Sequence, residues 1–148
     1  SHILIIGGGP SGLRAAEVAS TAGMKVTLCD QKRSVGRKFL VAGKGGLNLT
    51  HSEEIETFAL AIKDLINRTL LDQRSADFDN KEIRAWAARL NVGTFVQKSG
   101  RIYPKALKAA PLLRRWVEKL RKQGVDFRLS HRLVSLTSGK ASFEGPEG

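Results

Sequence analysis

The sequence predicts an α/β protein with a Rossmann-like domain: a parallel sheet, inserted helices and the start of an antiparallel meander. Three observations lead to this class. The apolar stretch Ile3–Ile6 runs directly into the loop Gly7-x-Gly9-x-x-Gly12, an Ala-rich helical segment follows, and a second apolar strand ends in Asp30. In this strand, loop and helix context the glycine motif is typical of a domain that binds FAD or NAD(P).

Each part of the first motif has a predicted task. Ile3–Ile6 is expected to be a fully buried strand of a parallel sheet. Gly7 permits the tight turn into the helix, Gly9 lets a pyrophosphate approach the backbone, and Gly12 lets the helix pack closely on the strand. The unpaired N–H groups of the first helical turn, at the positive end of the helix dipole, would then face the phosphates.

The second strand ends in the acidic residue that such a site requires. The helix, with Leu13, Ala16 and Ala19 on its apolar face, is predicted to end near Gly23, and the strand "KVTLCD" follows. Asp30 lies close to the expected distance of about 20 positions beyond the glycines, where a carboxylate accepts the ribose hydroxyls of an adenine nucleotide. A 2′-phosphate would be repelled there.

Residues 51–109 are predicted to form a helical insertion and a short hairpin. Thr50 and Glu53 have the spacing of a capping box, and Asn80 is expected to cap a further helix. Two short strands are predicted around the turn Ser99-Gly100. The helix after the capping box would carry one apolar stripe, formed by Ile55, Phe58, Ala59, Ile62, Leu65 and Ile66.

Residues 110–148 are predicted to complete a second strand-to-strand crossover. Pro111 suits the first turn of a helix and Gly124 its end, after which "VDFRL" forms a third strand. Right-handed crossovers place the three strands in the order 3-2-1. Two further strands around Ser138-Gly139 would begin a meander. With residues 1–50 as the dinucleotide-binding start, the sequence resolves into three parts of one FAD-binding domain.

A second glycine-rich segment favours FAD over a nicotinamide cofactor. "GRKFLVAGKGGLNLTHSE" spans Gly36–Glu53, soon after the acidic residue, where a plain nicotinamide domain proceeds to its next helix and strand. A dinucleotide with a large isoalloxazine ring system needs such an additional cradle. FAD is therefore the predicted cofactor.

Net charge, hydropathy and cysteine content limit the alternative functional classes of protein. The 148 residues carry a formal net charge of +11, but no nucleic-acid recognition motif accompanies the basic residues, so a basic nucleic-acid-binding protein remains only an alternative. No apolar run approaches the ~18 residues of a membrane span. Cys29 is the single cysteine, which predicts a small strand residue in a reducing, cytoplasmic protein. No metal site is predicted.

Four motifs carry a resemblance to a known family. "GGGPSGL", "GRKFLVAGKGGLNLTHSE", "SGRIYP" and "KAAPLLRRWVEKLRKQGVDF" make the sequence similar to the bacterial FAD-dependent flavoproteins related to aminoacetone oxidase, which have a glutathione-reductase-type fold. The resemblance implies cofactor contacts at matching positions. The pyrophosphate would meet Gly7, Gly9, Pro10, Ser11 and Gly12; the adenosine end Asp30, Gln31, Lys32 and Leu133; and the pyrophosphate and flavin end Arg37, Lys38, Gly43, Asn48, Leu49 and Thr50.

The resemblance further implies a flavin-dependent oxidoreductase acting on a small substrate. NAD(P)H or a small amine or carbonyl compound would be its partner in a longer polypeptide, of which this sequence is expected to be the N-terminal portion. No acid–base arrangement identifies a catalytic residue, and His51 is interpreted as a polar residue beside a helix start. The isolated portion is expected to self-associate or bind FAD poorly. A nucleotide-binding module without redox activity is the main alternative.

Overall fold

The computed structural model describes residues 1–42, 45–54, 57 and 78–146. Its elements, in chain order, are β1 (His2–Ile6), α1 (Pro10–Thr21), β2 (Lys25–Asp30), α2 (Arg37–Val41), β3 (Thr50–His51), α3 (Asn80–Arg89), β4 (Thr94–Val96), β5 (Arg101–Pro104), α4 (Ala109–Lys122), β6 (Asp126–Leu129), β7 (Arg132–Thr137) and β8 (Lys140–Glu144).

The chain forms two compact units. The first unit combines Ser1–Val41 with Leu113–Gly148, and the second comprises Ala42–Leu112. The three-part division at 1–50, 51–109 and 110–148 stays a prediction. The predicted apolar helical stripe from Ile55 to Ile66 lies outside the described residues.

A parallel sheet is the centre of the first unit. Its strand order is β1-β2-β6, which confirms the predicted order 3-2-1. Leu28 of β2 lies opposite Ile5 of β1 and Phe127 of β6. Within this sheet the central strand is the most buried, and Val26 and Leu28 of β2 are almost completely inaccessible to solvent. The domain is Rossmann-like, as the sequence predicted.

The first strand is less buried than predicted. Leu4 and Ile6 are 42% and 47% exposed, whereas Ile3 and Ile5 are half-buried. The cause is alternation: Ile5 lies beside Gly12 of α1, and its neighbours along the strand point to the opposite face. Among the described strands, β1 pairs only with β2, so it also forms an edge of the sheet. The expectation of a fully buried strand was wrong.

A buried carboxylate joins the two helices that pack on this sheet. Glu17 of α1 is 3% exposed. It accepts hydrogen bonds from Lys119 Nζ at 2.6 Å and Trp116 Nε1 at 3.1 Å, both on α4, and from Arg14 Nη1 at 3.0 Å. A buried charge of this kind is tolerated only where it is paired and hydrogen-bonded. Trp116 packs in the core, as predicted, but the sequence did not indicate the carboxylate beneath it.

A hairpin of β7 and β8 completes the first unit. The two strands pair antiparallel around Ser138-Gly139, and Gly139 has a φ of +77°. The register shifts between Leu133 and Ser135. This hairpin is the predicted start of an antiparallel meander.

The second unit contains a small antiparallel sheet and α3. Its strand order is β3-β5-β4, with β4 and β5 flanking the predicted turn at Ser99-Gly100. The helix α3 begins one residue earlier than a cap at Asn80 requires: the Asp79 carboxylate accepts from Glu82 N–H at 2.8 Å and is the N-cap. Thr50 does not cap a helix either, since it lies in β3 opposite Ile102.

Candidate nucleotide-binding site

Three glycines shape the loop between β1 and α1 in different ways. Gly7 has a φ of +103°, which L side chains rarely adopt. A Cβ at Gly12 would overlap the carbonyl oxygen of Gly7, so the helix can approach the strand only without a side chain there. At Gly9, by contrast, no described atom lies within 4 Å of a built Cβ. The space over Gly9 is open and can admit a ligand.

The N-terminus of α1 faces this open space with unused donors. Gly9 is the N-cap, and no described side chain caps the helix. The first intrahelical bond runs from Leu13 N–H to Gly9 O at 2.9 Å, so the N–H groups of Ser11 and Gly12 have no intrahelical acceptor. Pro10 occupies the first turn, where its lack of an N–H costs nothing. Such a terminus suits an anion.

Gly8 is a loop residue for which the sequence predicted no role. It is buried, and a Cβ there would overlap Val35 Cγ1 and lie 3.0 Å from Asp30 Oδ2. Its carbonyl accepts from Gly36 N–H at 2.7 Å. The only signal in the sequence is that the variable position between Gly7 and Gly9 is itself a glycine.

Asp30 lies at the end of β2, beside a pocket of about 260 Å³. Its Oδ2 accepts from Gly8 N–H and its Oδ1 from Lys32 N–H, each at 2.7 Å. The pocket brings together four residues selected from the sequence, with others from the same strand ends. They are Gly7, Asp30, Gln31 and Leu133, joined by Ile6, Cys29, His131 and Arg132.

His131 is a pocket residue that the sequence analysis did not select. Its Nδ1 donates to Leu129 O at 2.7 Å, and its backbone N–H donates to Asp30 O at 2.9 Å. A Cβ at Gly145 would lie 2.9 Å from its Nε2. The sequence could not identify His131, because a single histidine after a strand belongs to no motif. Its contacts arise only from the position of β7 in the fold.

Cys29 lines the same pocket from β2. It is 4% exposed. Burial raises the pKa of its thiol; the charge of Arg128 opposes this rise, and that of Asp126 adds to it. The thiol is therefore protonated at neutral pH and acts as a small packing residue, in agreement with the prediction.

The remaining predicted positions lie elsewhere. Arg37 and Lys38 are exposed at the start of α2 and do not line the pocket beside Asp30. The Lys32 side chain is exposed. Its backbone carbonyl accepts from Ser130 N–H at 2.9 Å, which links the segment after β2 to the segment after β6. Gly43 lies outside the described residues.

Asn48, Leu49 and Thr50 belong to a pocket of about 390 Å³ in the second unit. Leu49 N–H donates to Ile102 O at 2.8 Å, which holds this segment on β5. The other lining residues come from the end of β3 and the start of α3. They are His51, Glu53, Phe78, Asp79, Asn80 and Ile83.

His51 has a structural set of partners. Its Nε2 contacts Ser99 O at 2.9 Å, and Glu53 N–H donates to its Nδ1 at 3.2 Å. A carbonyl only accepts, so Nε2 is the donor in the contact with Ser99 O. The ring joins β3 to the turn before β5. Its interpretation as a polar residue beside a helix start stays a prediction.

This loop, helix terminus and acidic strand end define a Rossmann-like dinucleotide-binding domain. The chain belongs to the family described as "HI0933-like protein Rossmann domain", whose model matches residues 1–145. FAD is the cofactor of this flavoprotein family, as the sequence predicted.

A curated relative supports the assignment. The chain is 31% identical over 145 residues to the 3-dehydro-bile acid delta(4,6)-reductase of Clostridium scindens. The match covers 97% of this chain and 34% of the relative, so the chain spans about a third of that protein's length.

Solved structures share the fold. A flavocytochrome c3 fumarate reductase in its open conformation matches with a TM-score of 0.65 and 23% identity, over 93% of this chain and 28% of that one. The 3-ketosteroid-delta4-(5alpha)-dehydrogenase of Rhodococcus jostii matches with a TM-score of 0.65 and 14% identity, over 97% and 41%.

Two kinds of feature are absent from the part of the chain that the structure describes. Residues 1–42, 45–54, 57 and 78–146 contain no cluster of three or more His, Cys, Asp or Glu side chains that could hold a metal ion. Within the same ranges, none of the helices has both the length and the apolar character that crossing a bilayer requires.

Proposed function

We propose that this chain binds the adenosine and pyrophosphate portion of FAD in the N-terminal region of a flavin-dependent oxidoreductase. The observation that carries the proposal is the arrangement at the ends of β1 and β2. An open backbone at Gly9 and the free N–H groups of α1 adjoin a pocket that ends at the Asp30 carboxylate. These donors suit a pyrophosphate, and the carboxylate suits ribose hydroxyls.

The residues of the first unit fit the adenosine and pyrophosphate portion of the cofactor. The phosphates would lie over Gly9, Ser11 and Gly12, and the adenosine would enter the pocket beside Asp30 and Leu133. The resemblance supports further contacts from Pro10, Gln31 and Lys32. It also supports flavin-end contacts from Arg37, Lys38, Gly43, Asn48, Leu49 and Thr50.

The whole protein would be an oxidoreductase. Bound flavin supplies electron and hydride transfer, while the protein positions it and tunes its electronics. Two substrate classes have support: the aminoacetone-oxidase-like motifs favour a small amine or carbonyl compound, and the curated relative is named as a reductase of a bile acid. NAD(P)H is a further proposed partner, and the cytoplasm the proposed location.

Titration of the purified chain with FAD, ADP and FMN tests this function. Bound flavin has absorbance bands at about 370 and 450 nm, which report the FAD complex. We expect FAD and ADP to compete for one site, because both contain the adenosine diphosphate unit. FMN lacks the adenosine and should not displace ADP. A chain that binds neither FAD nor ADP, or that binds FMN as tightly as FAD, would contradict the proposal.

A further inference from the structure

We propose that Asp30 has a second role: its carboxylate holds the phosphate loop in shape through the backbone of Gly8, and so couples pyrophosphate recognition to ribose recognition. The coupling rests on the proposed function, whereas the loop-holding role belongs to the ligand-free chain. The sequence suggested only a ribose contact for this residue.

The contacts of Gly8 show why the loop depends on Asp30. The N–H of Gly8 donates to Asp30 Oδ2 at 2.7 Å, and its carbonyl accepts from Gly36 N–H at 2.7 Å. Val35 packs where a side chain would stand. Gly8 is therefore held at both backbone polar atoms, and Asp30 provides the only charged partner among these contacts. Hydrogen bonds to a charged group are about twice as strong as neutral ones.

The same carboxylate also organises the chain that leaves β2. Its Oδ1 accepts from Lys32 N–H at 2.7 Å, and the Asp30 carbonyl accepts from His131 N–H at 2.9 Å. One residue thus connects the phosphate loop, the loop after β2 and the start of β7. These three segments surround the pocket beside Asp30.

The carboxylate has capacity left for a ligand. Two carboxylate oxygens offer about four acceptor positions, and Gly8 and Lys32 use one on each oxygen. The remaining positions can accept the two ribose hydroxyls. Because one rigid group then serves the loop and the ribose, a change at Asp30 should weaken binding even of a ligand that has no ribose hydroxyls.

The variant Asp30→Asn separates these roles. An asparagine of the same shape has one carbonyl oxygen and one NH₂ group, so it can accept from Gly8 or from Lys32 but not from both. We expect amide hydrogen exchange in the ligand-free variant to be about tenfold faster at Gly8 or Lys32. Asp126→Asn on β6 is the matched control: it removes the same charge from an exposed residue paired with Arg128, and should leave both amides unchanged.

A ligand pair tests the coupling. The 2′,3′-dideoxy analogue of ADP should bind Asp30→Asn about tenfold more weakly than the unaltered chain, and ADP should lose more than that, because it also loses an acceptor for its ribose hydroxyls. Full retention of affinity for the dideoxy analogue, with loss confined to ADP, would overturn the coupling and leave a ribose contact alone. Failure of the unaltered chain to bind either ligand would count against the proposed function, yet hydrogen exchange would still decide the loop-holding role. A Gly8 amide that exchanges in the unaltered chain as fast as an unprotected loop amide would overturn that role without any variant.

Discussion

Lys119 on α4 donates to the buried Glu17 carboxylate on α1 at 2.6 Å, across two helices that are distant in sequence. Trp116 and Arg14 donate to the other oxygen of the same carboxylate. This group joins the helix that begins at the phosphate loop to the helix that leads into β6. Arg14 lies on α1 itself, so α4 contributes Lys119 and Trp116 to the pairing of this charge.

Glu17→Gln should destabilise the chain by about 2–4 kcal/mol, because an amide leaves two cations without their counter-charge and presents a donor to one of them. Urea unfolding measures the loss. Glu118→Gln is the control: its exposed pair with Lys122, at 3.1 Å, should contribute less than about 0.5 kcal/mol. Equal losses in the two variants would show that burial of Glu17 has no energetic consequence.

Gly9 and Gly12 of the phosphate loop should respond to substitution in opposite ways. Gly12→Ala places a methyl group against the Gly7 carbonyl and should cost about 1–3 kcal/mol of stability. Gly9→Val enters open space, so it should fold with a loss below about 1 kcal/mol and yet lose FAD binding, since the branched side chain occupies the phosphate position. Unfolding curves and FAD titrations of both variants provide the test. Unchanged FAD affinity in Gly9→Val would refute the role of Gly9.

Gly100 and His51 should be energetically coupled. Gly100 has a φ of +81°, and a Cβ there would lie 2.5 Å from the His51 ring. Gly100→Ala should therefore destabilise the chain, and a second change, His51→Ala, should recover about 1 kcal/mol of that loss by removing the overlap. The backbone strain would remain. A double-mutant cycle measures the coupling, and additive effects would contradict it.

The Cys29 thiol should react slowly with alkylating agents, and its burial should make the free energy of unfolding fall at alkaline pH. Burial raises the pKa of the folded thiol above the unfolded value of about 8.5. The contribution of the buried thiol to the free energy of unfolding is therefore complete below about pH 8.5. It is lost as the pH rises through the higher folded pKa, because only the unfolded thiol ionises readily. Alkylation rates and urea unfolding across this range test both statements. Cys29→Ala should abolish this part of the pH dependence; an unaltered dependence would assign it to other groups.

The edge formed by β1 should promote self-association and weak FAD retention. Leu4 and Ile6 expose apolar surface there, and an unpaired strand edge recruits other chains. Leu4→Lys should reduce the self-association that sedimentation velocity detects, whereas Val41→Lys, on the already 79% exposed Val41 of α2, should not. Gel filtration should show better FAD retention by a full-length family protein than by this chain. A monomeric chain with stoichiometric FAD would contradict the prediction.

The sheet order and the phosphate loop could be predicted because their signals are local. Gly7, Gly12 and Asp30 follow from a motif with fixed spacing, and the crossovers follow from chirality. Glu17 could not be found this way, because an acidic residue in an amphipathic helix usually faces solvent. Its burial depends on Trp116 and Lys119, whose positions the sequence does not reveal.

The errors have a similar physical origin. The apolar run Ile3–Ile6 indicated burial on both faces, but exposure depends on what covers each face, which a strand's own residues do not determine. Asp79 and Asn80 are both good capping residues, and only the hydrogen bond to Glu82 N–H distinguishes them. The requirement for glycine at position 8 could not be predicted, because it arises from contacts with Val35 and Asp30, which are distant in sequence.

The first unit combines two segments that the second unit separates along the chain, and this sets an order of events during synthesis. The phosphate loop leaves the ribosome before β6 does, and β2 gains its second neighbour only when β6 has been made. The bond from His131 N–H to Asp30 O forms later still. Contacts of such long sequence separation close slowly. Nucleotide binding would therefore report completion of the whole unit, and a nascent chain that stops before β6 should not capture the cofactor.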